Sequence, residues 1–434
     1  MKKVLLIYPK PDEIKKFRFS YSLNLLYAAS ILRNEGYTPI AYLDFALENI
    51  STLRLREYLE ETDIVILERD TFPLRRSTNI SHCTNLAHLI KTEYPTKLLI
   101  GIGNDFAMNF EEEKYFDFIF ADSFEDKISG VITHLLNGEK VEKESPTYIK
   151  STQYKKIPYP DRSLLSDYIE HGGSLKDEPK LAKSALIRTS TGCPYSCTFC
   201  QRKGWYPKTL SHSPEYVLNE FRQLSDNKYK NIWISDDNFT ADLKRAKAIL
   251  SGLTENKLSQ DMKIALSSSV NIDFEFLRLA KDANVSIISF GIESGEDEIL
   301  AFYKKKIDLS KVKELIEYAD SIGLYTVGNF IVGAPMESEK SIAKTTDFLM
   351  TTPFDRVNIK LLDYMQGSIL YDKLPEKMKQ EKRHIFACKE NGLNNYSLAE
   401  LKEISNNISI AFNKSKKGLI AKKNKLFGQP YYMS

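Results

Sequence analysis

The sequence predicts an α/β protein of two parallel-sheet domains in series: an N-terminal Rossmann-like domain with a five-stranded parallel sheet, then a partial (β/α)6 barrel of the TIM type, with a helical C-terminal region. Three observations predict this. Short apolar runs alternate with segments of helical periodicity over residues 1–137, and the same alternation returns over 182–375. Between them, 138–181 breaks the pattern with a charged and Pro-containing linker. No antiparallel hairpin signal joins consecutive strand-like runs, which leaves βα crossovers as the connection.

In the first domain, residues 3–8, 38–43, 63–67, 97–102 and 117–120 have the length and β-branched or aromatic content of buried parallel strands. Segments 23–35, 49–61, 78–93 and 125–136 repeat apolar residues at three- and four-residue spacing, as helices do. Lys10-Pro11-Asp12-Glu13 follows the first strand, so the glycine fingerprint of a dinucleotide site is missing. In the linker, Ile157-Pro158-Tyr159-Pro160-Asp161 reads as an extended turn and Gly172-Gly173 as a break, while Leu164, Leu165, Tyr168 and Ile169 give part of it something apolar to pack. The second series has strands at 185–189, 231–235, 263–267, 285–290, 325–332 and 356–362, with helices at 214–224, 243–252, 274–282, 311–323 and 338–351. Pro214 suits a first helical turn and Gly323 a helix stop. Six such units curve into three quarters of an eightfold barrel, whose active sites lie at the C-terminal edge of the strands. Residues 376–434 form a helical cap, with 398–412 its clearest helix.

A chain of 434 residues allows two to three domains at ~150 residues each. With 42% hydrophobic and 27% charged residues it has an ordinary globular composition. The balance of 61 Lys and Arg against 58 Asp and Glu, net +3, argues against a large phosphate footprint and hence against nucleic acid as a partner. Lys414, Lys416, Lys417, Lys422, Lys423 and Lys425 read as a solvated helix face, an RNA-modifying enzyme being the other reading. The longest uncharged stretch, 321–336, contains three glycines and a proline, short of the ~20 apolar residues of a membrane span. Met1-Lys2-Lys3 runs directly into a strand without a signal-peptide apolar region, so the expected location is cytoplasmic.

Of five cysteines, Cys193, Cys197 and Cys200 fall within eight residues, while Cys83 and Cys388 stand alone. This usage fits a reducing compartment and a metal site better than a disulfide framework. The spacing is C-x3-C-x2-C, with Phe199 before the last cysteine, directly after the first barrel strand. A structural zinc site takes four ligands, commonly as two pairs, and the chain has no second C-x2-C or H-x3-H. A 4Fe–4S cubane takes four thiolates, so a loop supplying three leaves one iron open to an exogenous ligand. A chance cluster of buried thiols, or a structural zinc site completed by a distant histidine, are the other readings.

On this triplet and the βα series behind it, the sequence resembles the radical S-adenosylmethionine (SAM) superfamily. The resemblance implies that Cys193, Cys197 and Cys200 hold a 4Fe–4S cluster, that SAM chelates the open iron through its amino and carboxylate groups, and that an electron donor such as flavodoxin or ferredoxin drives its cleavage to methionine and a 5′-deoxyadenosyl radical. Further stretches are similar to the subgroup with an N-terminal cobalamin-binding domain: Ile157-Pro158-Tyr159-Pro160-Asp161-Arg162, Ser213-Pro214-Glu215-Tyr216-Val217, Ile234-Ser235-Asp236-Asp237-Asn238-Phe239-Thr240, Phe290-Gly291-Ile292-Glu293-Ser294-Gly295 and Gly367-Ser368-Ile369-Leu370-Tyr371. The chain departs from the family pattern at Ser190-Thr191, Leu210, His212 and Gln366-Gly367-Ser368.

SAM needs partners for its ribose hydroxyls, ammonium and adenine. Glu293, Ser235, Asp236 and Asp237 stand at strand C-terminal edges and suit the ribose or ammonium; Ser267, with Ser268 and Ser269, suits the ribose; Gly333 lets the backbone approach adenine. Tyr195 and Phe199, inside the cysteine loop, complete the cofactor set. Each has a plainer alternative: capping of the following helix for Asp236, Asp237 and Glu293, the last through a short loop leading to Glu296 and Asp297, turn residues for the serines, and a positive-φ turn for Gly333. Trp205 and Tyr206 shield a radical or pack an interface, and no acid or base residue is singled out.

For the first domain the subgroup implies cobalamin on the sheet's edge, with Gly101 and Gly103 leaving room for it, although Glu68-Arg69-Asp70 bring charge there. No Asp-x-His-x-x-Gly loop follows the first strand, a signature that methylases of the subgroup frequently lack. His82 and His88 read as surface or core residues. With cobalamin the implied reaction is methyl transfer to an unactivated centre of a small biosynthetic intermediate or peptide. With a degenerate domain it is rearrangement, epimerisation, ring formation or oxidation.

Overall fold

The computed structural model describes residues 2–10, 21–38, 40–46, 48–69, 79–103, 105–106, 114–121, 124–125, 127–139, 141, 157–165, 184–202, 209–379 and 384–415. The chain separates into two compact units, 1–183 and 184–434.

The first unit is a parallel sheet of β1 (Val4–Tyr8), β2 (Ile40–Asp44), β3 (Ile64–Glu68), β4 (Leu98–Ile102) and β5 (Phe118–Phe120), in the order β2-β1-β3-β4-β5. Helices α1 (Leu23–Asn34), α2 (Thr52–Glu61), α3 (Ile80–Glu93) and α4 (Ile128–Leu136) make the crossovers and the closing turn. Every residue of β1 and β3 is buried, as in strands covered on both faces. The hydroxyls of Ser22 and Ser51 cap α1 and α2 by accepting from Leu25 and Arg54 N–H. Residues 157–165 of the linker pack on α1: Ser30 donates to the Tyr159 carbonyl, Asp161 N–H donates to the Leu26 carbonyl at 3.0 Å, and Arg33 pairs with Asp161 at 2.7 Å. The chain turns to β2 on one side of β1 and to β3 on the other, which puts the ligand-binding switch point of such sheets between β1 and β3. Residues 11–20 and 70–78 lie outside the described residues, as do Trp205, Tyr206 and the lysines beyond Lys414.

In the second unit β6 (Ser184–Ile187) is followed by two short strands, β7 (Ser190–Thr191) and β8 (Leu210–Ser211), that pair antiparallel. Five longer strands continue the main sheet, β9 (Asn231–Ile234), β10 (Lys263–Ser268), β11 (Val285–Glu293), β12 (Tyr325–Val332) and β13 (Arg356–Leu361). All six are parallel and each neighbours the next in sequence, the topology of a barrel that has not closed. Between them run α5 (Pro214–Asp226), α6 (Leu243–Glu255), α7 (Phe274–Asp282), the short α8 (Asp297–Phe302), α9 (Leu309–Ser321) and α10 (Glu339–Thr351). Ser213, Asp242, Asp273, Asp308 and Ser338 cap the five longer ones with side-chain oxygens. The helix-facing side of the sheet is one apolar core in which Ile234, Leu266, Phe290 and Phe330 meet Phe221, Ile249, Phe276 and Ile316. After β13 come β14 (Asp363–Met365), α11 (Ile369–Asp372), α12 (Glu376–Lys379), β15 (His384–Phe386) and α13 (Leu398–Lys414).

Three details differ from the sequence expectation, each for a physical reason. β6 stops at Ile187 instead of reaching 189, because Thr189 and Ser190 give their N–H groups to the Asp236 carboxylate and leave the ladder. The C-terminal region is not wholly helical: β15 pairs antiparallel with β14, and α13 lies on β13, where Ser405 donates to the Ile359 carbonyl and Ile408 and Phe412 join the main core. β11 runs to Glu293 through a bulge at its exit, which turns the strand's last residues toward the C-terminal edge. Among the described residues no helix is long and apolar enough to cross a membrane.

Candidate functional site

The cysteine loop, residues 192–202, leaves the C-terminal edge of the six-stranded sheet between β7 and β8, and its stem is built on two adjacent aspartates. Asp236 is buried and accepts from Thr189 N–H and Ser190 N–H at 2.6 and 3.0 Å, and from both hydroxyls. Burial raises its pKa and these bonds oppose the rise. Asp237 accepts from Gly192 N–H at 3.0 Å with one oxygen and pairs with Arg202 Nε at 2.7 Å with the other, so one carboxylate ties both ends of the loop. The two side chains of that ion pair are 7% and 8% exposed.

The middle of the loop is fastened on its other side. Thr198 donates its N–H to Tyr303 O and its hydroxyl to Phe302 O, and its own carbonyl accepts from Leu370 N–H. Phe199 meets Tyr303 edge-on at 5.1 Å, inside a cluster with Ile331, Leu362 and Ile385. Gln201 donates to Gln366 O. Tyr195 is half-exposed and its hydroxyl accepts from Asn271 at 3.1 Å.

What faces the three thiols comes from the neighbouring strand ends. Asn238 Nδ2 lies 3.9 Å from Cys193 Sγ. Glu293 sits at the β11 exit with φ of 77°, a left-handed conformation rare for a residue with a side chain that costs ~1–3 kcal/mol. Its carboxylate pairs with Lys305 at 3.4 Å, 11% and 15% exposed. A Cβ at Gly291 would lie 2.5 Å from Glu293 Oε1, so a side chain there would displace that carboxylate. Burial lowers the Lys305 pKa, but Glu293 and the Cys197 and Cys193 thiols more than offset it and leave the ammonium firmly charged. Burial pushes the Cys197 thiol up to about 11, opposed by Lys305 and reinforced by Cys200, Glu293 and Cys193; burial likewise raises Cys193.

The remaining sequence-predicted residues fall as follows. Ser235 is buried and spends its hydroxyl on the Ile187 carbonyl. Ser267 is half-buried and pairs in register with Ser289, beside a chain in which Asn358 donates to Asn329 and Asn329 to Ser289, a polar tier across the sheet. Gly333 has φ of 106° and gives its N–H to Glu337, as a positive-φ turn requires. Asp236 caps no helix, and both its oxygens accept from the loop stem, which it ties; the caps nearby are Asn238 and Asp242. Phe199, packed against Tyr303, anchors the loop. In the first unit, Gly101 leaves room for the Phe106 ring, 2.9 Å from where its Cβ would be. Gly103, with φ of 124°, would place a Cβ 2.1 Å from Arg69 O. Both glycines therefore have local packing duties. The charges expected beside them turn inward: Glu68 accepts from Asn24 at 2.7 Å and Arg69 lies 5.0 Å over Phe106.

Sequence reasoning missed Asn238, Lys305 and Arg202. Asn238 stood in a quoted motif without an assigned duty, and Lys305 is hidden in the run Lys304-Lys305-Lys306.

The donor set fits an iron–sulfur cluster open at one iron. Three unbridged thiols share one tethered loop. Among the described residues no group of three or more His, Cys, Asp or Glu stands close enough to surround a single metal ion. The ammonium of Lys305 lies where ligated thiolates would carry negative charge, and the Tyr303 hydroxyl is buried with no hydrogen-bond partner among the described residues, beside Glu293 and Glu337.

Comparison with known proteins agrees. Residues 187–349 match the model of the radical SAM superfamily. An uncharacterized methyltransferase of Pyrococcus horikoshii is 30% identical over 190 residues, 43% of this chain and 41% of that protein, so the match spans less than half of that relative's length. Cytidylyl-2-hydroxyethylphosphonate methyltransferase of Streptomyces wedmorensis is 24% identical over 391 residues, 77% of this chain and 73% of that protein. The radical SAM methyltransferase TsrM of Kitasatospora setae, solved with cobalamin and a 4Fe–4S cluster, superposes with a TM-score of 0.72 over 88% of this chain and 79% of its own, at 16% identity, a likeness of fold. Loop, strand edge and family model coincide on the same residues: the stretch that matches the radical SAM superfamily, 187–349, lies within the second unit and contains the cysteine loop.

Proposed function

We propose that this chain is a cobalamin-dependent radical SAM methyltransferase acting on a small biosynthetic intermediate or peptide. The observation that carries the reading is the pairing, in one chain, of a β2-β1-β3-β4-β5 sheet with a cysteine-loop barrel, an order of elements shared over 88% of the chain with a protein solved with cobalamin. Cys193, Cys197 and Cys200 would ligate three irons, leaving the fourth for SAM. When bound, these groups supply one-electron cleavage of the sulfonium and a methyl group for transfer.

The chain's own residues bind, orient and exclude water. Asp237 holds the two ends of the loop together, and Asp236 fixes the strand exit from which it springs. Lys305, raised and buried, balances the anionic charge of ligated thiolates and of a carboxylate beside them, while Glu293 is placed to accept from an ammonium or hydroxyl. Phe199 and Tyr303 close the apolar side against solvent. The polar tier of Ser267, Ser289, Asn329 and Asn358 offers hydrogen bonds to a bound molecule on the sheet. Sulfur insertion, a chemistry of some superfamily members, would need a sulfur source; outside the triplet the chain has only Cys83 and Cys388, both buried.

A second reading, a first unit without cobalamin and a different radical outcome, is favoured by one observation: Gly101 and Gly103 are each explained by Phe106 and Arg69 without any ligand. Incubating the anaerobically reconstituted protein with cobalamin, a reductant, methyl-deuterated SAM and a cell extract separates the two. Label appearing in a product supports methyl transfer, whereas deoxyadenosine formation with no labelled product supports the second reading.

A further inference from the structure

We infer that Asn238 is a positioning and tuning residue of the cluster, donating an N–H···S hydrogen bond to the Cys193 ligand and thereby raising the cluster's reduction potential; this rests on the reading of Cys193, Cys197 and Cys200 as cluster ligands.

The orientation of the Asn238 amide is fixed by its own partners. Its Oδ1 accepts from Thr240 N–H at 3.3 Å, from the Thr240 hydroxyl at 2.9 Å and from Ser269 N–H at 3.1 Å. Three donors converge on one atom, so that atom is the oxygen and the NH2 must occupy the other position, 3.9 Å from Cys193 Sγ. The residue is 4% exposed, and the Thr240 hydroxyl is held in turn by Ser268 at 2.8 Å. A rigid donor aimed at sulfur needs no rearrangement when the thiol becomes a ligated thiolate, which is a stronger acceptor.

The consequence is electrostatic. Reduction adds one electron to the cluster and spreads negative charge over its sulfur ligands. A donor already aimed at one of them stabilises the reduced state more than the oxidised one, and hydrogen bonds to sulfur are among the determinants of cluster potential. Asn238 also ties the β10 exit through Ser269, so a purely structural duty is the competing account, and the test must move a quantity that structure alone would not.

Asn238→Asp keeps the size and the acceptors for Thr240 and Ser269 but replaces the donor with a negative charge. In a potentiometric titration of the anaerobically reconstituted protein, followed by the electron paramagnetic resonance of the reduced cluster and run without SAM, the variant is expected to lower the reduced-to-oxidised ratio at a fixed potential at least tenfold, which is 59 mV for one electron. Asn238→Ser, which removes the amide without adding charge, is expected to shift in the same direction and by less. Wild-type-like ratios in whichever variant binds about four irons, or a shift to higher potential, would overturn the inference. If neither variant assembles a cluster while the parent does, the structural account stands and the inference fails. A parent chain that assembles none instead removes the ligand reading beneath it.

Discussion

Asp237→Asn offers the sharpest test of how the cysteine loop is held. The wild-type carboxylate bridges Gly192 N–H at 3.0 Å and Arg202 Nε at 2.7 Å. The asparagine carbonyl can still accept from one of these groups, but its NH2 then faces the other donor. The buried Arg202 guanidinium, 8% exposed, loses the Asp237 charge. Removing one member of a buried pair costs about 3–5 kcal/mol, and at 1.36 kcal/mol per factor of ten that is a hundredfold or more in the equilibrium holding the loop closed. The assay is iron and sulfide per chain after anaerobic reconstitution and gel filtration, with the rate of iron loss to a chelator. The variant is expected to lose iron at least tenfold faster than the parent. The same chemical change at the exposed Lys3–Glu61 pair, Glu61→Gln, 75% exposed at the glutamate, should change neither quantity, because exposed pairs contribute ~0–1 kcal/mol. An Asp237→Asn protein with the parent's iron content and chelation rate would refute the loop-clamp argument.

Three further outcomes follow from the same geometry. Cys197→Ala should abolish deoxyadenosine formation from SAM while leaving the far-UV circular dichroism and thermal melt of the metal-free protein unchanged; undiminished deoxyadenosine would remove the ligand assignment. His212, buried beside Arg188 and Arg245 and stacked on Tyr216 at 4.0 Å, has its pKa pushed down to about 3 by burial and then by those cations. A depressed folded-state value means stability that is fully present above pH ~6.5 and is lost as the pH falls toward 3, on the order of 5 kcal/mol in all. His212→Phe, which keeps the stacking, should flatten that limb of a urea-midpoint-versus-pH curve, and an unchanged slope would contradict the assignment. Gly103→Ala should destabilise the first unit by at least ~2 kcal/mol, seen as faster amide exchange in β1 and β3, because the new Cβ would meet Arg69 O at 2.1 Å in a backbone of φ 124°; parent-like exchange would show that the strand exit adapts.

The sheet cores were legible because burial leaves a plain mark on sequence. β1 is an unbroken apolar run and β3 is one up to Leu67, and the six barrel strands alternate with capped amphipathic helices. The cysteine triplet was legible because its spacing is itself the chemistry. What escaped was set by distant partners. β7 and β8 are two residues each, too short for any periodicity, and β6 ends early because Asp236, from another strand, takes its donors. Asp236 and Asp237 brace the loop, a duty that depends on Thr189, Gly192 and Arg202, which stand at the same sheet edge but far away in sequence. Lys305 is one lysine of three in a row, with Lys304 and Lys306 exposed and its own ammonium buried against Glu293. No local pattern separates the buried one from its neighbours. At Gly101 and Gly103 the sequence does not reveal that the atoms nearest their missing side chains belong to Phe106 and Arg69, partners brought in by the fold.

Metal content decides whether one chain holds both an iron–sulfur cluster and cobalamin. The protein is purified anaerobically, its cluster is reconstituted in the presence of hydroxocobalamin, excess is removed, and iron and cobalt are measured per chain beside the absorption spectrum. About four irons and about one cobalt per chain are expected, with the irons lost together in the Cys193, Cys197 and Cys200 alanine variants. About four irons with no retained cobalt would contradict the cobalamin half of the claim, and zinc without iron or labile sulfide would contradict all of it.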